Sequence, residues 1–200
     1  MNIPPLCIIQ ARMGSMRLPG KMLLKLGDET LIARAVRIAG EAFGGQNVLV
    51  AIPHNEAQAD LLAELERIEA HVMQVDCDEK DVLGRFHAAA HSMRWHPDSP
   101  IIRYTPDDPW KDEGALRAVA SGLRVPVEFG GEAFTLAQLD YAHVNITDAQ
   151  KREHITHALF DYSAPVVAVA FQFEQNLLPL SIDTPEDYAA ACARIAEGAA

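Results

Sequence analysis

The sequence predicts an α/β domain: a doubly wound, mostly parallel sheet with helices on both faces. Three observations predict it. Short apolar runs alternate with amphipathic stretches of helical period through the first half of the chain. The helical stretches are long enough for the crossovers that parallel strands require. A loop rich in glycine and cations follows the first apolar run, which is where open α/β sheets bind ligands. With 200 residues and 49% hydrophobic content, the chain suffices for one sizeable core, so 1–200 is read as a single domain.

The elements follow in order. Residues 6–10 form a buried strand, and a helix follows with Asp28 as N-cap and Leu31, Ala35, Ile38, Ala39 and Ala42 on one face. Residues 47–52 read as a second strand, 56–69 as an amphipathic helix and 71–75 as a third, weaker strand. A helix over 81–95 turns Val82, Phe86, Ala89, Ala90 and Met93 inward, and 101–104 is the next strand, ending in Thr105-Pro106-Asp107-Asp108-Pro109. Beyond Asp112 the pattern loosens: a helix to about Leu123, strand-like pieces at 125–129 and 133–136 around a Gly130-Gly131 turn, and a helix over 148–162. An apolar strand at 166–173, a last strand into Ile182 and a helix from Pro185 complete the chain. The 112–150 stretch is expected to close over the sheet.

Charge narrows the function. The formal net charge is −11, so most of the surface repels phosphate backbones and anionic membranes, and neither nucleic acid nor membrane is an expected partner. Cys7, Cys77 and Cys192 are widely spaced and form no Cys-x-x-Cys pair, which points to a reducing compartment. No signal-peptide pattern opens the chain and no apolar run approaches the ~20 residues of a membrane span, so a cytoplasmic protein is expected.

Against that acidic background, no residue from Met1 to Gly27 is acidic, while Arg12, Arg17, Lys21 and Lys25 all fall there. A solvated basic loop is the ordinary reading of such a segment. Its position after a buried strand, with Gly14 and Gly20 beside the cations, favours an anion site instead, and phosphate is the anion most often held this way. It is not a Walker loop: five residues separate Gly14 from Gly20, and Met22 follows Lys21. A dinucleotide-binding Gly-x-Gly-x-x-Gly is absent as well. The Asp76 to Asp81 run reads as a solvated acidic loop leading into a helix N-cap. His154 and His157 at i, i+3, with His143 nearby, match no metal motif and read as helix-surface histidines. Thr184-Pro185-Glu186-Asp187 is a helix start, with Thr as N-cap and Pro at N1.

The opening loop, Gln10-Ala11-Arg12-Met13-Gly14-Ser15-Met16-Arg17-Leu18-Pro19-Gly20-Lys21, resembles that of the cytidylyltransferases that include spore-coat polysaccharide biosynthesis proteins and CMP-sugar synthetases. Further segments match that family in the same order. Asp81-Val82-Leu83-Gly84-Arg85-Phe86 is similar to its Asp-Val-Leu-x-Arg-Phe, and Arg152-Glu153-His154-Ile155-Thr156 to its Arg-Glu-His-Val-Thr. Ile182-Asp183-Thr184-Pro185-Glu186-Asp187 is similar to its Val-Asp-Thr-Pro-Glu-Asp.

The resemblance implies a Rossmann-like, nucleotide-diphospho-sugar transferase-like fold and Mg²⁺-dependent transfer of a nucleotidyl group from CTP to a sugar or sugar phosphate. By the same match Arg12, Arg17 and Lys21 hold the triphosphate with the backbone from Ala11 through Met13 and Gly14 to Ser15, and Arg12 and Lys21 act in catalysis. Asp107 and Asp183 hold Mg²⁺, Arg85 lies near the nucleoside, and Arg152 and Glu153 touch the acceptor. For Asp107 the alternative is an ordinary Pro-flanked turn residue.

The chain also departs from the family pattern. Pro106 stands where Gly or Ala precedes the metal-binding Asp, removing a backbone donor and fixing φ, and Asp108 adds a charge suited to a second metal or repellent to triphosphate. The 112–150 region is an abbreviated acceptor-side cap, lacking the family's longer arm, so a homodimer through that arm is left open. The family's basic residue before the second Asp is replaced in the neighbourhood of Pro179 and Leu180. These departures leave a second reading, a nucleotide-binding module without turnover that acts through a partner protein.

Overall fold

The computed structural model describes residues 4–93, 99–125, 127–155, 167–168 and 181–198. Strands β1 (Leu6–Gln10), β4 (Val48–Pro53), β5 (Val72–Val75), β6 (Ile101–Tyr104) and β8 (Glu132–Phe134) form the main sheet, in the order β5-β4-β1-β6-β8. β1 pairs in parallel with β4 (Cys7 opposite Val48) and with β6 (Leu6 opposite Ile101), and β8 closes the edge antiparallel to β6. The strand order reverses between β1 and β6. Ligand crevices open at such a switch point, beyond the carboxyl ends of the strands.

Both faces are covered, and period-2 alternation assigns each β1 side chain to a core. Leu6 and Ile8 join Val82, Phe86 and Ala89 of helix α3 (Val82–Ser92) and Leu139 of α6 (Leu136–Asn145). Cys7 and Ile9 join Ile32, Ala35 and Ala39 of α1 (Leu31–Phe43), Leu61 and Leu65 of α2 (Ala59–Arg67) and Leu116 of α4 (Glu113–Ala120). All of β1 from Leu6 to Ile9 is fully buried, and each such Leu or Ile contributes about 1.5–3 kcal/mol. A third cluster, containing Leu26, Trp110, Phe129, Ile182 and Ala191, seats the last helix, α8 (Pro185–Ala196), beside the loop that follows β1.

Three local expectations are corrected. Asp28 is not the α1 N-cap: it lies in the tight turn between β2 (Lys25–Leu26) and β3 (Glu29–Thr30), and the Thr30 hydroxyl accepts the Ala33 amide instead. Residues 125–129 do not make a strand. Val127–Gly130 form one helical turn, α5, because Lys111 Nζ and the Asp112 amide take the carbonyls of Val127 and Phe129. The 133–136 piece is split, since a Thr135 and Gln138 capping box starts α6 where a strand was expected to continue.

Short strand β7 (Leu123–Arg124) pairs in parallel with β9 (Val167–Ala168). Of the helix expected over 148–162, α7 (Ala149–Glu153) is observed, capped by Asp148. The expected helix is broken at His154, whose φ of −103° and ψ of 72° are not helical, while His157, the remainder of the 166–173 strand and the Pro179-Leu180 neighbourhood lie outside the described residues, as do 94–95 of the third helix. Among the described residues no helix is long and apolar enough to cross a membrane.

Candidate active site

The loop after β1 is folded on itself before any ligand enters. The Met13 carbonyl accepts from the Ser15 amide at 2.9 Å and the Gly20 amide at 3.2 Å, and the Ser15 hydroxyl accepts the Leu18 amide at 3.3 Å. Gly20 takes a left-handed φ of 70° that a side chain would strain, and the 3-10 turn Lys21–Leu23 starts there. Lys21 is thereby turned inward.

Three distant segments converge on that lysine. Its Nζ lies 2.6 Å from Asp107 Oδ2, which follows β6, and 3.1 Å from Asp183 Oδ1, just before α8. It also donates to the Ile182 carbonyl at 3.2 Å, while the Ile182 amide donates to the Asp107 carbonyl at 2.7 Å, so backbone pairing fixes the two acidic segments together. Arg17 Nη2 reaches the other Asp183 oxygen at 3.0 Å. Burial disfavours the Lys21 ammonium, but Asp107 and then Asp183 outweigh it, and its pKa lies above the ordinary lysine value. The lysine is therefore charged at neutral pH, and both carboxylates converge on one cation. Two carboxylates from separate segments, both partly open to solvent, are the donor set Mg²⁺ usually takes from a protein. The residues fit the ion.

Residues 6–189 match the cytidylyltransferase family. The chain belongs to that family. This cytidylyltransferase is 30% identical over 204 residues to the spore coat polysaccharide biosynthesis protein SpsF of Bacillus subtilis, covering 92% of this chain and 82% of that one. Its fold is similar to that of a cytidylyltransferase from Leptospira borgpetersenii, with a TM-score of 0.83 at 22% identity over 98% of this chain and 88% of the other. It is also similar to CMP:2-keto-3-deoxy-manno-octonic acid synthetase complexed with CTP, with a TM-score of 0.67 at 15% identity over 98% and 99% of the two chains. The fold is that of the nucleotide-diphospho-sugar transferases, and the protein is a nucleotidyltransferase.

Elsewhere in the cytidylyltransferase, motif residues are engaged with other protein groups. Arg12 Nη2 pairs with Glu153 Oε1 at 3.0 Å, and its Nη1 donates to the Glu79 carbonyl at 3.2 Å. Arg85 donates to the same carbonyl from both terminal nitrogens, at 3.2 and 3.3 Å. With 1% of its surface exposed, Arg85 offers a nucleoside no face in this conformation, and burial lowers its pKa. Arg152 is also engaged. Its Nε and Nη2 grip both Asp81 oxygens at 2.9 and 3.0 Å, and Nη1 donates to the carbonyls of Ile146 and His143. Burial raises the Asp81 pKa, yet Arg152 and the Gly84 amide, which Asp81 accepts as the α3 N-cap, bring it below the ordinary value. Arg152 clamps the start of α3 to the end of α6.

The Thr105-Asp108 turn answers the question raised by Pro106. The Asp108 amide bonds the Thr105 carbonyl at 3.2 Å, so Pro106 occupies the second position of a β-turn, where its fixed φ is favoured and Asp107 is still delivered to Lys21. Asp108 does not face the crevice as a second metal ligand. It is buried, accepting from Lys111 Nζ at 2.8 Å, from Ser181 Oγ at 2.6 Å and from the Thr105 hydroxyl. Lys111 has no exposed side-chain surface, and burial pushes its pKa down against the pull of Asp108.

Two residues near the loop escaped the sequence reading. Gln58, 1% exposed, accepts the Met13 amide at 2.8 Å and carries no local signal, because its role exists only once α2 packs below the loop. Glu79 rests on Gly14 so closely that its carboxylate would have to shift to admit a Cβ there. Of the amides expected to bind phosphate, Ala11, Met13 and Ser15 are engaged internally, leaving those of Arg12 and Gly14 among the described residues of that stretch.

Proposed function

We propose that the protein transfers the cytidylyl group of CTP to an oxygen of a sugar or sugar phosphate, with Mg²⁺ as its metal and with surface-polysaccharide or modified-sugar synthesis as its setting. The observation that carries this reading is the convergence of Lys21, Asp107 and Asp183 at the β1/β6 switch point. Family membership and the likeness to a polysaccharide-biosynthesis protein support the nucleotide and the class of acceptor.

In the reaction an acceptor oxygen attacks the α-phosphorus, a P–O bond forms, and the bond to the β-phosphate oxygen breaks as pyrophosphate leaves. Protein groups contribute mainly charge and position. Asp107 and Asp183 would hold Mg²⁺, which when bound would neutralise phosphate charge. Lys21 supplies a charge for the triphosphate and the leaving group, and Arg17 a second for the same phosphates, each exchanging a carboxylate partner for phosphate. Arg12 reaches the triphosphate from the opposite side, exchanging Glu153 for phosphate, while the amides of Arg12 and Gly14 donate from the loop floor. Arg85 acts as a positioning residue through the Glu79 carbonyl, and Arg152 through Asp81. Glu153, released by Arg12, faces the acceptor.

The test is pyrophosphate release with each of the four nucleoside triphosphates, Mg²⁺ and a panel of sugar phosphates and acidic sugars. Release with CTP and one acceptor class is expected. Tight CTP binding with no release from any mixture overturns the proposed reaction in favour of a nucleotide-binding module that acts through a partner.

A further inference from the structure

Helices α3 and α6 carry a cluster that the transfer reaction does not use. His87 and His91 are one turn apart on α3, and Asp140 and His143 one turn apart on α6, so the two helix faces bring all four side chains together where the helices pack. Asp140 Oδ1 lies 2.6 Å from His91 Nε2 and 3.2 Å from His87 Nε2. Ligand atoms of His87, His91 and Asp140 all fall within 4.8 Å of one another. Two imidazoles thus point the same ring nitrogen at one carboxylate oxygen.

We propose that His87, His91 and Asp140 form a site for a first-row divalent transition metal, Zn²⁺ by preference, that pins α3 to α6. The donor chemistry selects this class, since imidazole with carboxylate suits Zn²⁺, Co²⁺ or Ni²⁺, whereas Mg²⁺ takes oxygen ligands. Around a tetrahedral Zn²⁺ with bonds of about 2.0–2.1 Å, ligand atoms stand roughly 3.3 Å apart. The His87 to Asp140 separation already matches, and His91, on the exposed side, needs only a small rotation to open its shorter contact. His143 stacks on His87 with ring centroids 3.9 Å apart and planes 9° from parallel, fixing the His87 ring, and its own Nδ1 is buried without a hydrogen-bond partner. The site is separate from Asp107 and Asp183, which present only oxygen. It belongs to the same layer as the Arg152 clamp, because Arg152 donates to the His143 carbonyl.

The experiment titrates metal-free full-length protein with Zn²⁺ by calorimetry and with Co²⁺ by visible absorption, with thermal melts alongside. The proposal predicts saturable Zn²⁺ binding that raises the melting temperature, and the intense visible bands of low-coordinate Co²⁺. His91→Gln and Asp140→Asn should each weaken binding by more than ~10²-fold, beyond the ~10–100-fold usual for losing a ligand's supporting hydrogen bond. Their metal-free melts should match the wild type, since both side chains are substantially exposed. Asp183→Asn should bind as the wild type does. Absence of saturable Zn²⁺ binding, or binding unchanged in His91→Gln, overturns the site; binding lost in Asp183→Asn instead assigns the metal to the crevice. Neither result depends on nucleotidyl transfer.

Discussion

The two sides of the crevice use charge in opposite ways. On the proposed triphosphate side, Lys21, Arg17, Asp107 and Asp183 form a partly exposed cluster in which phosphate can replace each cation's carboxylate and a metal can replace each carboxylate's cation. On the proposed acceptor side Arg152 is consumed by Asp81 and two carbonyls, and in the turn after β6 Lys111 is sealed onto Asp108. Arg103, likewise, is paired with Glu132 at 2.7 Å with both side chains nearly buried. Charged motif residues of equal prominence in the sequence therefore divide by whether their partners are exchangeable, and only the exchangeable ones suit binding.

Breaking each side separately should produce different failures. The largest effect is expected from Asp108→Ala, which strands the buried Lys111 ammonium and should cost about 3–5 kcal/mol in a urea melt while sparing turnover per folded molecule. Asp107→Asn and Asp183→Asn should do the reverse, lowering pyrophosphate release by ~10²–10³-fold with little change in melting temperature. Arg152→Ala should destabilise by about 1–3 kcal/mol, and Arg152→Lys should recover only part of it, because an ammonium cannot grip both Asp81 oxygens and reach the carbonyls.

The smallest effect is on pH dependence. The Asp81 pKa lies below its ordinary 3.8, so the clamp's contribution is present above that value and is lost as pH falls through the lower folded value. The stability gap between wild type and Arg152→Gln should therefore be constant near neutral pH and narrow in acid below about 3.8, measured by denaturation at a series of pH values. A gap that widens in acid would mean that Arg152 acts on something other than Asp81.

Much of this division was legible beforehand. The β1 loop, the α3 start at Asp81 and the α8 start at Thr184 were readable because each is a local pattern of apolar period, cap and glycine. Asp107 and Asp183 stand out through their motifs, and they meet at Lys21 because the Ile182 amide bonds the Asp107 carbonyl and holds the segment before α8 against the turn after β6. Arg152 was misleading for the same reason: a motif marks a position as constrained but does not distinguish a clamp from a contact. Asp108 and Lys111 lie three residues apart, a spacing that looks like surface charge until α5 and Ser181 close over them. The strand expected over 125–129 rests on β-branched and aromatic composition, which registers in the sequence, whereas the capture of the Val127 and Phe129 carbonyls by Lys111 and Asp112 does not.

The most direct test of the exchangeable cluster is pyrophosphate release by Lys21→Ala beside wild type, with CTP, Mg²⁺ and the acceptor the wild type accepts, and melting temperature measured on the same samples. Release should fall by ~10²-fold or more at nearly unchanged melting temperature. Unimpaired release, or a collapse of the melting temperature, would contradict it and make Lys21 a structural residue like Lys111.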